Sequence, residues 1–102
     1  MTLPARAQVG PYVYAIHEVH TLADGSWAMI LWESRTIQIK ASLDPIMKRM
    51  ALWHEIKHAC NEIVGKDRGK FTEEEYTHCA APLELDTLRR NPDLVTYLLE
   101  AA

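Results

Sequence analysis

The chain has 102 residues, of which 48% are hydrophobic and 25% are charged, and its formal net charge is −3. A chain of this length is expected to form one domain around a small core. Its lysines and arginines are scattered singly or in pairs, so no basic stripe is present that could follow the phosphates of a nucleic acid. The longest apolar run, residues 27–32, is far shorter than the roughly 20 residues that a membrane-spanning helix needs. The N-terminus lacks the layout of a signal peptide, which predicts a cytoplasmic protein that binds neither nucleic acid nor membrane.

The N-terminal part of the chain has the pattern of β-strands. Residues 12–20 are rich in β-branched and aromatic side chains, and Asp24-Gly25 is a strong turn signal. Residues 27–32 are apolar throughout, which predicts a strand covered on both faces. Residues 36–40 alternate between apolar and polar side chains, as expected of a strand with one buried face. We expect these segments to form an antiparallel sheet with short connections.

A long helix is predicted over residues 45–64. Asp44-Pro45 places a carboxylate at the N-cap and a proline at the first helical position, which is a strong start signal. No glycine and no further proline follows until Gly65, a natural residue for the end of a helix. Residues 65–70 are polar and predict a loop.

Two shorter helices are predicted after this loop. The sequence Thr72-x-x-Glu75 fits a capping box at the start of the first one. Pro82 falls inside that helix and is expected to kink it or to divide it in two. Asn91-Pro92 is expected to cap a last helix that runs to about residue 100. The predicted fold class is therefore α+β, with a small antiparallel three-stranded sheet followed by the long helix and two C-terminal helices.

The sequence His54-Glu55-Ile56-Lys57-His58 lies in the middle of the long predicted helix. Side chains four residues apart lie on the same face of a helix, so both imidazoles can bind one metal ion. Imidazole suits zinc, which in catalytic sites takes three protein ligands and keeps a further position open. Glu55 lies about 100° around the helix from His54, where its carboxylate can act as a base without binding the metal. The motif predicts a zinc site with His54 and His58 as ligands and Glu55 as the general base.

The third zinc ligand must come from outside this motif. The chain lacks the glycine and the histidine that a metzincin places after its second histidine, which excludes that class. A glutamate from the next predicted helix is the alternative, because that helix opens with Glu73-Glu74-Glu75. Glu75 is expected to serve the capping box. Small residues follow Glu74 one and two turns later and would allow close approach of the two helices, so Glu74 is the first choice, Glu73 the second and Asp67 a remote third.

The chain resembles the minimal HExxH metallopeptidases of phages and bacteria. The resemblance lies in the order of short strands, HExxH helix and glutamate-rich helix, and in the ending Leu88-Arg89-Arg90-Asn91-Pro92. These proteins are similar to reduced gluzincins and are distantly similar to the ImmA/IrrE group. The resemblance covers residues 25–100, and the HExxH element is its specific part.

This resemblance implies a single zincin-like domain over residues 1–102 that uses Zn²⁺ to hydrolyse peptide bonds in a peptide or protein substrate. It implies His54 and His58 as zinc ligands, Glu55 as the general base and a glutamate within 73–75 as the third ligand. The ImmA/IrrE pattern has a small residue three positions after that glutamate, which agrees with Glu74 and Thr77. Residues 35–40 are, by the same resemblance, the strand expected to pair with the substrate.

The sequence also allows two interpretations in which the protein is not an enzyme. In one, zinc serves only the folding of a domain with a small core. In the other, the chain is a structural or phage accessory protein that acts by interaction and has a decayed site. Without any metal, the motif would be part of an amphipathic helix whose two histidines lie at the edge of the protein core. Cys60 and Cys79 are too few for a disulfide framework and are expected to be small buried hydrophobic residues in a reducing compartment.

Overall fold

The computed structural model describes residues 2–65 and 69–100. One sheet is followed by a helical half, which confirms the predicted α+β class. The loop predicted over residues 65–70 includes residues 66–68, among them Asp67, which lie outside the described residues. In the part of the chain that is described, no helix is long and apolar enough to cross a membrane. The elements in chain order are β1 (Arg6–Val9), β2 (Tyr12–Val19), a 3₁₀ turn (Ala23–Gly25), β3 (Ala28–Leu31), β4 (Thr36–Lys40), α1 (Pro45–Val64), α2 (Glu73–Arg90) and α3 (Pro92–Leu99).

The sheet is mixed and has four strands in the order β1-β2-β4-β3. β1 pairs with β2 and β3 pairs with β4 in antiparallel fashion, whereas β2 and β4 are parallel neighbours with Ile16 opposite Ile37. The predicted three-stranded antiparallel sheet is therefore wrong, both in the number of strands and in the direction of the central pair. β1 is short and has only one β-branched residue, Val9, so its local signal is weak. β2 and β4 are neighbours because β3 lies on the outer side of β4. This strand order depends on tertiary packing and not on the local sequence.

β3 is an edge strand, although its apolar sequence predicts a strand covered on both faces. Its residues are half-buried or exposed, and Trp27 and Trp32 at its two ends are exposed. Among the described residues it pairs only with β4. Its outer backbone groups therefore face away from the sheet. Such an edge is a template for pairing with another extended chain.

The long helix α1 begins and ends where the sequence predicts. The Asp44 carboxylate accepts a hydrogen bond of 2.8 Å from the Met47 backbone N–H, and Gly65 ends the helix with φ +78°. One side of the helix packs on the sheet, which supplies Ile37 and Ile39 to the same core. The fully buried residues of this side are Leu52, Ile56, Ala59 and Cys60.

The capping box of α2 is confirmed, whereas the division of this helix at Pro82, one of the two expected effects of the proline, does not occur. Thr72 Oγ1 accepts a hydrogen bond of 3.1 Å from the Glu75 backbone N–H, and the Glu75 carboxylate accepts one of 3.1 Å from the Thr72 backbone N–H. The helix then continues through Pro82 to Arg90 as one element. Buried residues on both sides of the proline, Ala80 and Thr87, hold the two halves against the rest of the protein. This packing offsets the one backbone hydrogen bond that proline removes.

Asn91, between α2 and α3, binds β1 and does not cap α3 with its side chain. α3 begins at Pro92, as predicted, but Asn91 makes no side-chain cap bond to it. Its Oδ1 accepts from the Gln8 backbone N–H, and its Nδ2 donates to the backbone carbonyls of Gln8 and Thr87, each at 2.7 Å. The side chain is buried. One amide group therefore pairs the outer edge of β1 and fastens it to the end of α2.

We expect Asn91→Ala to lower the free energy of unfolding by about 2–4 kcal/mol, because three hydrogen bonds of about 1 kcal/mol net each are lost. Asn91→Asp should be at least as harmful, since it keeps the shape but brings a carboxylate oxygen to two backbone carbonyls. Urea denaturation measures both changes. Asp93→Asn, at an exposed neighbouring position, is the control and should change stability by less than about 0.5 kcal/mol. An Asn91→Ala protein as stable as the wild type would contradict this role for the side chain.

Candidate metal centre

The two histidines of the motif lie on the solvent side of α1. His54 and His58 are exposed, whereas Ile56, between them in sequence, is fully buried. This division follows from helical geometry, because residues four apart share a face and a residue two positions away lies nearly opposite. Burial of the apolar side of α1 on the sheet therefore holds both imidazoles toward water.

The two imidazole rings meet edge to face over one turn of α1. Their Nε2 atoms are 3.1 Å apart, their centroids are 4.7 Å apart and the ring planes are inclined by 75°. Two nitrogen ligands bound at 2.0–2.1 Å to a tetrahedral zinc ion lie about 3.3 Å apart. The observed separation of the Nε2 atoms is close to this value. In the absence of an ion, this contact is a hydrogen bond between the two rings, and its length is compatible with two nitrogens that share one metal ion.

Glu55 lies beside the histidines but is buried, with 7% of its surface exposed. Its carboxylate and the two imidazoles offer ligand atoms that all lie within 4.8 Å of one another. Among residues 2–65 and 69–100, this is the single group of at least three such side chains. Burial raises the pKa of the Glu55 carboxyl, while the charges of His58 and His54 act in the opposite direction. The site thus combines two exposed nitrogen donors with one shielded carboxylate.

Two cavities adjoin the motif along the edge strand β3. One, of about 420 Å³, lies next to His54, and the other, of about 330 Å³, lies next to His58. Glu55 and Ala28 border both of them. The Glu55 side chain therefore lies at the junction of two depressions that follow the same strand.

The strand beside the motif is β3, not the segment expected from the resemblance. Residues 35–40 contain β4, which is paired with β2 on one side and with β3 on the other. β4 therefore has no free edge for a peptide, and that expectation is wrong. The hydrophobic run of β3 suggested a covered strand because an apolar edge beside a groove has the same local pattern as an interior strand.

Glu73 and Glu74 are exposed in the first turn of α2 and belong to no group with the histidines among the described residues. The side of α2 that faces α1 is marked by Tyr76, whose hydroxyl donates a hydrogen bond to Asn61 Oδ1. Glu74 precedes Tyr76 by two residues, about 200° around the helix, and so lies on the far side. Glu73 lies only about 60° from Tyr76, on the flank of the contact with α1. The assignment of a third ligand stays a prediction, and the orientation of α2 favours Glu73 over Glu74.

An acidic residue of α2 that does contact the motif is Glu84, which the sequence did not single out. Its carboxylate forms an ion pair with Lys57, inside the HExxH sequence. Lys57 lies on the side of α1 that faces α2, and the pair fixes the two helices against each other next to the histidines. The charge of Glu84 is already balanced by this lysine.

The two cysteines have different environments. Cys60 is buried in α1, as expected, and its Sγ lies 3.8 Å from Thr87 Oγ1. Burial raises the pKa of the Cys60 thiol, against the effects of the Thr87 hydroxyl and the Lys57 charge. Cys79 is exposed on α2, so the expectation of a second buried cysteine is wrong. Neither cysteine belongs to the metal-binding group.

The described residues therefore bring two nitrogen donors and a buried carboxylate together in the groove that the two cavities form along the outer edge of β3. Such an arrangement can hold a divalent metal, accept a proton and lie against an extended chain. Comparison with protein-family models, with curated proteins and with solved structures finds no match for this chain.

Proposed function

We propose that the protein is a zinc-dependent metallopeptidase, with His54 and His58 as zinc ligands and Glu55 as the general base. The observation that carries the proposal is the close approach of the two imidazole Nε2 atoms, 3.1 Å apart, with the Glu55 carboxylate beside them. The open position of the histidines supports catalysis over a purely structural metal. Structural zinc sites are usually closed by four protein ligands, whereas catalytic ones leave a position free.

In this mechanism Glu55 carries the proton that peptide hydrolysis must move. His54 and His58 would hold the zinc ion, which when bound would supply a Lewis acid for the peptide carbonyl and for water. The Glu55 carboxylate takes a proton from the attacking water and later gives it to the nitrogen of the breaking C–N bond. This carboxylate is buried and lies beside the histidines, where Glu55 and Ala28 border both cavities.

The substrate in this proposal is an extended peptide lying along β3. The outer edge of β3 can pair with a peptide backbone by strand addition, which provides binding through main-chain hydrogen bonds. Glu55 and the histidines face the cavities next to this strand. A peptide on the strand edge would therefore pass beside the proposed general base.

A glutamate in the first turn of α2 is proposed as the third ligand. The resemblance to ImmA/IrrE proteins favours Glu74, whereas the orientation of α2 favours Glu73. Both residues are exposed and free of the capping box, in which Glu75 is engaged. Either would have to approach the histidines more closely than in the present arrangement, since neither is within the metal-binding group.

We expect the purified protein to bind about one zinc ion per chain and His54→Ala or His58→Ala to abolish that binding, because each change removes one of two adjacent nitrogen donors. Elemental analysis after growth in zinc-replete medium measures the metal content. His78→Ala is the matched control, since His78 is exposed on α2 and outside the group. A wild-type content below about 0.3 zinc per chain would count against the zinc site itself.

The third ligand is tested by comparing Glu73→Gln with Glu74→Gln. The change at the true ligand should weaken zinc binding by more than the roughly 10–100-fold that loss of an outer-shell partner costs. The other variant serves as its control and should bind zinc as the wild type does. Competition with a chromophoric chelator measures the affinities. Unchanged affinity in both variants would exclude the two glutamates.

Glu55→Gln should retain zinc and lower peptide hydrolysis by about 10²–10⁴-fold, because the amide cannot accept the proton. Cleavage of a peptide mixture followed by mass spectrometry measures the rate. Glu62→Gln, two turns further along α1, is the control and should cleave as the wild type does. A zinc-loaded wild type that cleaves nothing, with stability that depends on zinc, would support the non-catalytic zinc-binding alternative.

A further inference from the structure

The cavity next to His54 has apolar walls built from two different elements. Ala28 lines it from β3, Ser26 and Trp27 line it from the segment just before that strand, and Met50 and Ala51 line it from α1. His54 and Glu55 form its border on the side of the proposed metal centre. We name it the Trp27 cavity.

We propose that the Trp27 cavity binds an apolar side chain of the peptide substrate, on a residue adjacent to the bond that is cleaved. The inference rests on the proposed function and adds its specificity: the preferred substrates carry a large aliphatic or aromatic residue at that position. Trp27, Met50 and Ala51 are the residues that select it.

The exposure of the walls supports an apolar occupant. Trp27 is 48% exposed and Met50 is 60% exposed, although both are large and apolar. Burial of such surface against a bound side chain is favourable in proportion to the apolar area removed from water. Methionine also adapts to side chains of different shape. The ionisable residues of its lining are His54 and Glu55, and the proposed function assigns both of them to the metal centre. A charged side chain would therefore lose water here without gaining a partner of opposite charge that is available to it.

The position of the cavity supports a residue next to the cleaved bond. The cavity shares Glu55 and Ala28 with the second depression, which continues past His58 toward Trp32. A peptide extended along β3 with its carbonyl beside Glu55 therefore has one neighbouring residue on the His54 side. The side chain of that residue enters the Trp27 cavity. At about 420 Å³ the cavity has room for an aromatic ring.

A second apolar depression, between Arg49, Trp53 and Leu99, is a less suitable place for this side chain. It shares Met50 with the Trp27 cavity but includes neither histidine and not Glu55. A side chain there would lie on the far side of Met50 from the general base.

The test uses two probes with the same zinc-binding group, acetohydroxamic acid and phenylacetohydroxamic acid, which differ by a phenyl ring. Calorimetry with the zinc-loaded full chain measures both dissociation constants. We expect the phenyl compound to bind at least about tenfold more tightly, as burial of an aromatic ring predicts. Trp27→Ala and Met50→Ser should reduce this ratio to less than about threefold, because each removes part of the apolar wall.

The control variant is Ile46→Ser, one turn before Met50 on α1 and similarly exposed, but outside the cavity. It should keep the wild-type ratio. Circular dichroism and zinc content check that each variant is folded; Trp27 and Met50 are exposed side chains, so their replacement leaves the core intact.

Equal affinity of the two probes for the wild type, or a wild-type ratio in both cavity variants, would overturn the inference. Binding of acetohydroxamic acid in that experiment would still leave the metal centre in place. A chain that holds no zinc would instead refute the proposed function, and the cavity assignment with it. The two failures are therefore distinguishable.

Discussion

The packing of α1 on the sheet is the constraint on which both the core and the candidate site depend. Leu52, Ile56 and Cys60 are fully buried on one side of this helix. Because successive residues turn by about 100°, the same packing turns His54 and His58 to solvent. It leaves Glu55 at the margin, buried beside β3. A rotation of the helix that exposed the apolar side would also separate the donors from the groove.

The sheet forms the other side of the site through β3, and its two edge strands differ in whether their outer backbone groups are paired. The outer backbone of β1 is paired by the buried Asn91 side chain at Gln8. Within residues 2–65 and 69–100, β3 pairs only with β4, and exposed tryptophans lie at both of its ends. A sheet with one edge closed and one edge open is protected from unspecific pairing on the first side and offers a binding strand on the second. In the proposed peptidase, that open edge is the one next to Glu55.

Glu55 is buried whereas His54 and His58 are exposed, and this difference affects the charge of the carboxylate and the access of an ion to the imidazoles. Removal of the carboxylate from water disfavours its charged form, and the neighbouring imidazoles oppose this effect. The exposed imidazoles remain accessible to an ion without any opening of the core. The small domain therefore places its reactive groups at the surface of the core and does not enclose them.

The amino-acid sequence already specifies the three helices and the grouping of His54, Glu55 and His58, because capping residues and helical spacing act over a few neighbouring positions. It also indicated strands in the right regions. Long-range packing, in contrast, sets the place of β1 in the sheet, the parallel direction of β2 and β4 and the position of β3, not β4, at the edge. It also placed Asn91 on β1 and kept α2 whole at Pro82. These features depend on which surfaces meet across long stretches of chain, and an apolar strand has the same local pattern beside a groove as inside a sheet. For the same reason the choice between Glu73 and Glu74 depends on how α2 packs against α1, which spacing alone does not specify.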